Sequence, residues 1–206
     1  MPENVVKNIV IRGTAVWPHL NEPDTFHSDE GTYQTGVSVP ATMAQPLIDI
    51  LTKVFEDGYK DLCQEKKKKS IKKYPGMPWD DEHDKEGAPT GNIIFKTKVA
   101  AKTRKGSDQR PLLCDAKSQP MSEDIGGGSL INVCVDPYVW FNPSLGAGLR
   151  LTLRGVQVLE LHHGGSRSAA GCGFEVEEGF ETTAAAMAST NTDSKEGSEE
   201  PKDGDF

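Results

Sequence analysis

The sequence predicts a mainly β protein with one inserted α-helix and a disordered acidic C-terminal tail. Three observations lead to this fold class. Several segments rich in β-branched residues are separated by turn-forming stretches, with 21 Gly and 13 Pro in 206 residues. One stretch shows the three- and four-residue apolar spacing of an amphipathic helix. The C-terminal end is acidic and of low complexity.

The N-terminal half predicts two strands and then the helix. The first strand is expected at residues 5–17 (VVKNIVIRGTAVW), followed by a loop that Pro18 and Pro23 interrupt. The second strand is expected at residues 32–39, closed by Pro40. Thr42 is the expected helix cap. The apolar positions that recur at helical spacing are Leu47, Ile48, Leu51, Val54, Phe55, Tyr59 and Leu62.

The second half predicts a loop without periodicity at residues 74–91 and then four strands. Residues 92–103 form a strand, RKGSDQR a turn, and residues 111–116 the partner of that strand. Residues 129–141 and 149–161 form a long hairpin joined by NPSLGAG. Five to seven strands with one helical insertion fit an OB-fold, a five-stranded Greek-key barrel, with extra strands.

Charge divides the chain into two parts. Residues 174–206 contain ten Asp/Glu and two Lys, so the whole net charge of −8 lies there, and residues 1–173 are neutral. A polar, like-charged segment cannot bury enough apolar surface to offset its ordering entropy. We therefore predict a domain at residues 1–173 and a disordered tail at 174–206. The tail ends in Asp203, Asp205 and Phe206, which we expect to bind partners or to compete with another polyanion for a basic cleft.

Positive charge is clustered within the neutral domain. The cationic residues expected to bind DNA are Lys69, Lys72, Lys73, Lys96, Lys98, Lys102, Arg104, Lys105, Arg110 and Arg150. Lys96, Lys98 and Lys102 share one face of the predicted strand, and Arg150 shares a face with Arg154. Such a stripe can follow a phosphate backbone. The alternative is a solvated surface or a charged strand edge that blocks aggregation.

Aromatic residues are interleaved with these charges. The candidates for base stacking are Trp17, Tyr33, Tyr138 and Trp140, which all lie at strand ends or in loops. Cations for phosphates and flat rings for bases are the combination that single-strand binders use. The alternative is that several of these rings belong to the core, because alternation in VDPYVWF places one pair of side chains inside.

Catalytic motifs are absent from the sequence, which contains no G-x-x-x-x-G-K-[ST], G-x-S-x-G or H-E-x-x-H. We expect no enzyme activity, no cofactor and no metal site. The cluster Asp80, Asp81, Glu82 and Asp84 favours a mobile acidic loop over the metal site of a nuclease. The four widely spaced cysteines predict free thiols. No stretch predicts a membrane span or a signal peptide, so we expect a cytoplasmic protein.

Taken together, several motifs resemble the single-stranded DNA-binding proteins of short-tailed lytic phages. They are G-x-Y at residues 31–33, KKYPGMPWDD after the helix, FKTK, CDAK, GGGS, PYVW, LRLTLRGVQVLEL and the terminal DGDF. Each motif alone is short, but their shared order covers most of the chain. This tail is less densely acidic than is usual in that family and carries Lys195 and Lys202.

The resemblance implies an OB fold and a role in phage DNA replication, recombination and repair in the host cytoplasm. It implies that the basic residues at the helix end and in the middle hairpin bind DNA, here Lys69, Lys72, Lys73, Lys102, Arg104, Lys105 and Arg110. It also implies a homodimer and tail contacts with the replicative DNA polymerase and the helicase-primase. A factor whose main work is strand annealing is the second interpretation, and a metal-dependent nuclease is the third.

Overall fold

The computed structural model describes residues 6–26 and 28–163, so the expected domain border at residue 173 and the tail lie outside the described residues. The elements in chain order are β1 (Ile9–Asp24), β2 (Thr32–Pro40), α1 (Ala41–Glu65), β3 (Trp79–His83), β4 (Pro89–Ala100), β5 (Leu112–Cys114), β6 (Leu130–Asn142) and β7 (Gly146–Glu160). Strands β4, β2, β1, β6 and β7 pair in this order, and a parallel β4–β7 pairing closes the barrel. The predicted OB-fold class is confirmed.

Alternating residues of the strands fill the barrel. Ile131, Val133 and Val135 of β6 face inward beside Leu151 and Leu153 of β7, and all five are almost inaccessible to solvent. Residues between them point outward, as the two-residue period of a strand requires. The polar residues between them, such as Asn132 and Thr152, therefore lie on the outer surface, where a ligand can reach them.

The helix α1 packs against the barrel through Leu51 and Phe55, which are both buried. It begins at Ala41, directly after β2 ends at Pro40, and no side chain caps it. The predicted Thr42 cap is wrong, because Pro40 occupies the cap position and places Thr42 inside the first turn. Gly58 lies so close to β6 that an added Cβ would come within 2.7 Å of Val139.

Strand β1 is longer than predicted. It continues through Pro18 and Pro23, and its register with β2 shifts between Val16 and His19 and again between His19 and Asp24. Proline cannot donate to a ladder hydrogen bond, and these irregularities are where a strand tolerates it. The prolines therefore mark bulges here, whereas the sequence pattern predicted a loop.

Two further predictions about strands are wrong. The expected loop at residues 74–91 contains β3, which forms a hairpin with β4. Residues 112–114 do not pair with β4 but lie parallel to β7. The reason is that β4 has no vacant edge, since β2 lies along one side and β3 and β7 share the other.

The remaining features follow the sequence more closely. Cys63, Cys114 and Cys134 are free thiols, as predicted, whereas Cys172 lies outside the described residues. The β6–β7 hairpin turns at residues 143–145, so β7 begins three residues earlier than predicted. Within the described part of the chain, no helix is long and apolar enough to cross a membrane.

Candidate nucleic-acid interface

The outer side of strands β2 and β4, here called the β2–β4 face, carries the central pair of lysines. Phe95, Thr97 and Val99 of β4 are buried, so Lys96 and Lys98 project outward. Their cross-strand neighbours on β2 are Gly36 beside Lys96 and Gln34 beside Lys98. Two lysines of the predicted stripe therefore lie on the outer side of β4, beside small or uncharged neighbours, whereas Lys102 lies beyond the end of β4 at Ala100.

Trp17 lies at the β1 border of this face. Its neighbour Val16 pairs with Gly36, which in turn pairs with Lys96, so the row from β1 to β4 spans about 10 Å. Trp17 is 77% exposed and has a φ of 45°. A bulky residue rarely adopts this left-handed conformation, and bulges of this kind re-aim side chains beside functional sites. The β1 bulge thus exposes the indole ring to solvent, two strands away from the β4 lysines.

The two lysines differ in their surroundings. The ammonium group of Lys96 forms an ion pair with the carboxylate of Asp80 on β3, and both side chains are mostly exposed. Lys98 forms no ion pair within residues 6–26 and 28–163. An anionic ligand would therefore compete with Asp80 for Lys96, whereas Lys98 is available without such competition.

The hairpin that carries Asp80 is attached to β2 through Glu82. Ser38, Thr90 and Asn92 donate hydrogen bonds to Glu82 Oε2 at 3.0, 2.8 and 2.9 Å. Burial raises the pKa of the Glu82 carboxyl, but the bonds from Asn92, Thr90 and Ser38 together hold it below its usual value. Glu82 thereby holds β3 beside Lys96.

A second group of cations follows β4. The backbones of Lys102 and Asp108 form an isolated antiparallel β-bridge, and a hydrogen bond of 2.8 Å joins Thr103 N–H to the carbonyl of Ser107. This turn presents Arg104 and Lys105 to solvent at its tip. Lys102, Arg104 and Lys105 therefore continue the positive charge beyond the end of β4.

A third group lies where the chain leaves α1. Tyr74 N–H donates to Ala147 at 2.7 Å, and Ala147 N–H donates to Lys72 at 2.8 Å, which attaches this segment to the start of β7. Lys69 and Lys72 are exposed. The Lys73 ammonium lies 4.8 Å from the centre of the Tyr59 ring, so it contributes a cation–π contact to the fold.

The β6–β7 hairpin carries the remaining candidates. Tyr138 is 55% exposed, and its ring centre lies 5.3 Å from the guanidinium carbon of Arg150, its cross-strand neighbour. Trp140 is half-buried and packs against Tyr74 at 5.3 Å between ring centres. The Tyr138 and Arg150 side chains thus form one exposed pair, and Trp140 is partly used in packing.

Tyr33 does not fit its predicted role. Only 2% of Tyr33 is exposed, because alternation along β2 turns this residue into the core. A ring enclosed by the barrel cannot stack on a base, so this prediction is wrong. Asp203, Asp205 and Phe206 lie outside the described residues.

The structure adds one arginine to the predicted set. Arg154 of β7 and Arg110 line a single cleft, although they are far apart in the sequence. Arg154 was expected only to share a face with Arg150, and both are indeed exposed. No sequence signal links Arg110 with Arg154, because the crossing from β4 to a parallel pairing with β7 brings them together.

The acidic residues around β3 point to structural roles. Asp80 pairs with Lys96, and Asp84 accepts the backbone N–H groups of Glu86 and Ala88 at 2.9 and 2.8 Å. Among the residues that the structure describes, no three His, Cys, Asp or Glu side chains lie together as a metal site would require. The interpretation as a metal-dependent nuclease therefore finds no support at this hairpin.

Comparisons with known proteins identify relatives over most of the chain. No family model matches it. The single-stranded DNA-binding protein of Escherichia phage T7 is 29% identical over 214 residues, covering 90% of this chain and 89% of the relative. The corresponding protein of Enterobacteria phage T3 is 28% identical over 190 residues, covering 82% and 79%.

Solved structures support the same fold. The crystal structure of gp2.5, a single-stranded DNA-binding protein of bacteriophage T7, matches with a TM-score of 0.61 at 23% identity, covering 88% of this chain and 99% of that one. The protein from bacteriophage Enc34 in complex with single-stranded DNA matches with a TM-score of 0.58 at 18% identity, covering 81% and 98%. The motifs, the closed barrel and these relatives agree, and over most of its length the chain is similar to the single-stranded DNA-binding proteins of phages T7 and T3.

Proposed function

We propose that this protein binds single-stranded DNA without sequence preference through the β2–β4 face. The observation that carries the proposal is the outward projection of Lys96 and Lys98 from β4, two strands away from β1, which carries the exposed ring of Trp17. In OB-folds the face formed by the second and third barrel strands, here β2 and β4, binds oligonucleotides. The related phage proteins are named for binding single-stranded DNA.

The chemistry of this face suits a single strand. Lys96 and Lys98 supply charge for phosphates, and each phosphate contact releases a counterion from the DNA. The indole of Trp17 supplies a flat surface on which any base can stack, because every base has a π face. Stacking of this kind needs an unpaired base, so duplex DNA should bind less well.

Three further groups would extend the path of the DNA. The turn with Lys102, Arg104 and Lys105 adjoins the end of β4, and Arg110 follows it. Tyr138 and Arg150 offer a ring and a guanidinium side by side. Lys69 and Lys72 flank the same hairpin through the attachment of residues 72–74 to β7.

In the infected cell, the protein would coat single-stranded intermediates of phage DNA replication, recombination and repair, and it would catalyse no reaction. We infer that it acts as a homodimer in the host cytoplasm. Its acidic tail, ending in Asp203, Asp205 and Phe206, would recruit the replicative polymerase and the helicase-primase. The charge of −8 in residues 174–206 is what supports a role for the tail.

The binding proposal is tested by titrating the protein with oligo(dT) while recording tryptophan fluorescence at several salt concentrations. We expect log K to fall linearly with log salt, by roughly 0.7 for each phosphate that is neutralised. A duplex of the same length is the comparison, and Tyr33→Phe is the matched control because Tyr33 is buried. An affinity that does not change with salt concentration, or that is equal for single-stranded and duplex DNA, contradicts the proposal.

The tail is tested by deleting residues 194–206. If the tail competes with DNA for the basic face, the deletion should tighten binding at low salt, and the gain should shrink as salt screens the charges. Removing Phe206 alone changes no side-chain charge, so it should spare DNA affinity and weaken capture of a polymerase. Unchanged DNA affinity after the deletion would leave the tail with partner binding only.

A further inference from the structure

A cleft lies beside the seam where the barrel closes. Strands β4 and β7 pair only at Thr97 with Leu151 and at Lys98 with Thr152. Beyond this pairing β7 takes β5 as its neighbour, starting at Gly155. The gap between them is a cleft of about 550 Å³ lined by Asn8, Val99, Gln109, Arg110, Pro111, Leu112, Leu153 and Arg154.

The walls of this cleft combine two guanidinium groups with an apolar surface. Arg110 comes from the loop before β5 and Arg154 from β7, and both side chains are exposed. Leu112 is 62% exposed, and the buried Val99 and Leu153 form the inner side. The cleft is open to solvent and its lining is mixed, so it offers two cations for a phosphate beside an apolar side chain against which a base can pack.

Arg154 is oriented by its neighbours. Its Nε lies 3.3 Å from Asp136 Oδ2 in an ion pair, and Asp136 Oδ1 accepts the backbone N–H of Asn8 at 2.9 Å. This anchors one edge of the guanidinium, and the terminal nitrogens make no hydrogen bond or ion pair within the described residues. Arg110 makes none within the same ranges. A guanidinium held in this way is suited to bind a phosphate.

The cleft also continues the β2–β4 face. Lys98 does not line the cleft, but it pairs across the seam with Thr152, two residues before Arg154, and the next residue of β4, Val99, does line it. We propose that the cleft is a subsite for one nucleotide of the bound strand, with the phosphate between Arg110 and Arg154 and the base against Leu112. This subsite rests on the proposed binding of single-stranded DNA and assigns Arg154 and Leu112 to it.

The test compares oligo(dT) of increasing length for the wild type, Arg110→Gln, Arg154→Gln and the double variant. Arg110 forms no ion pair with a described residue, so Arg110→Gln should lower the salt slope by about 0.7, which corresponds to an affinity about fivefold weaker at 0.1 M salt. Arg154→Gln should lower the slope by less, because Asp136 already offsets part of the charge of Arg154. The double variant should lose more of the slope than either single variant, and only with oligonucleotides long enough to reach the cleft. Lys98→Ala should weaken binding at every length.

Arg12→Gln is the matched control, because Arg12 is an exposed arginine of β1 that pairs with Asn132 of β6, away from the cleft. A salt slope and a length dependence in Arg110→Gln that equal those of the wild type would overturn the subsite. This single variant remains informative even if loss of Arg154 disturbs the fold. Failure of the wild type to bind oligo(dT) would instead overturn the proposed function, so the two failures can be distinguished.

Discussion

Asp80 sets how much Lys96 and Lys98 each contribute to DNA binding. Lys96 forms an ion pair with Asp80, whereas Lys98 forms no ion pair in the described part of the chain. Replacing Lys98 by Ala should therefore lower the slope of log K against log salt by about 0.7, the value for one phosphate on a single strand. Lys96→Ala should lower it by less, because Asp80 already offsets part of that charge.

The variant Asp80→Asn measures how strongly Asp80 competes with a phosphate for Lys96. Both partners of the Lys96–Asp80 pair are about 60% exposed, and exposed pairs contribute roughly 0.2–1 kcal/mol. A phosphate that replaces Asp80 must overcome this amount, so Asp80→Asn should tighten binding at low salt by about 1.4- to 5-fold. Asp81→Asn is the matched control, because Asp81 is the exposed neighbour on β3 and forms no ion pair with a described residue.

The assay is a fluorescence titration with oligo(dT) from about 0.05 to 0.5 M salt, over which phosphate contacts dominate the change in affinity. Thermal unfolding checks that each variant is folded. Equal slope losses for Lys96→Ala and Lys98→Ala, together with an unchanged Asp80→Asn, would refute the reasoning about Asp80. An unchanged slope in Lys98→Ala would remove Lys98 from the path of the DNA.

Three other variants test the site and the fold. Trp17→Ala should weaken oligo(dT) binding by about 1–3 kcal/mol in a gel-shift titration. The salt slope should not change, because a stacked ring carries no charge. The control Trp17→Tyr should retain most of the affinity. Phe55→Ala should lower the free energy of unfolding in urea by about 3–5 kcal/mol, because it opens a cavity between α1 and the barrel. Ile50 is exposed, so Ile50→Ala should lower the free energy of unfolding far less. Glu82→Gln should destabilise the protein at neutral pH, and its difference from the wild type should shrink as the pH falls below 4.5.

The sign of the Glu82 effect follows from its lowered pKa. The ionised carboxylate stabilises the folded state above the pKa of the unfolded chain, and this contribution is lost as the pH falls through the folded-state pKa. Thermal midpoints at pH 7 and pH 3 measure it. A difference between Glu82→Gln and the wild type that grows in acid would contradict the hydrogen-bonding account. A changed salt slope in Trp17→Ala would contradict the stacking role of Trp17. A Phe55→Ala variant as stable as Ile50→Ala would contradict the packing role of Phe55.

Local sequence patterns were sufficient for most of the elements. The two-residue alternation of β2, β4, β6 and β7 and the helical spacing of α1 are properties of neighbouring residues, which each segment carries by itself. The same alternation placed Lys96 and Lys98 on one outer face. Turn-forming residues predicted two loops that the structure does not contain. Pro18 and Pro23 lie in irregular parts of β1, and residues 79–83 pair with β4.

The sequence by itself determined the fold class, the charge division between residues 1–173 and 174–206, and the face that carries the β4 lysines. Only the tertiary structure decided which aromatic rings are available, burying Tyr33 and turning Trp17 outward through a bulge. It alone paired Lys96 with Asp80 and brought Arg110 to Arg154. The physical reason is that burial and pairing depend on which strands become neighbours. Which strands become neighbours depends on the closure of the barrel between β4 and β7, and no local sequence pattern predicts that pairing.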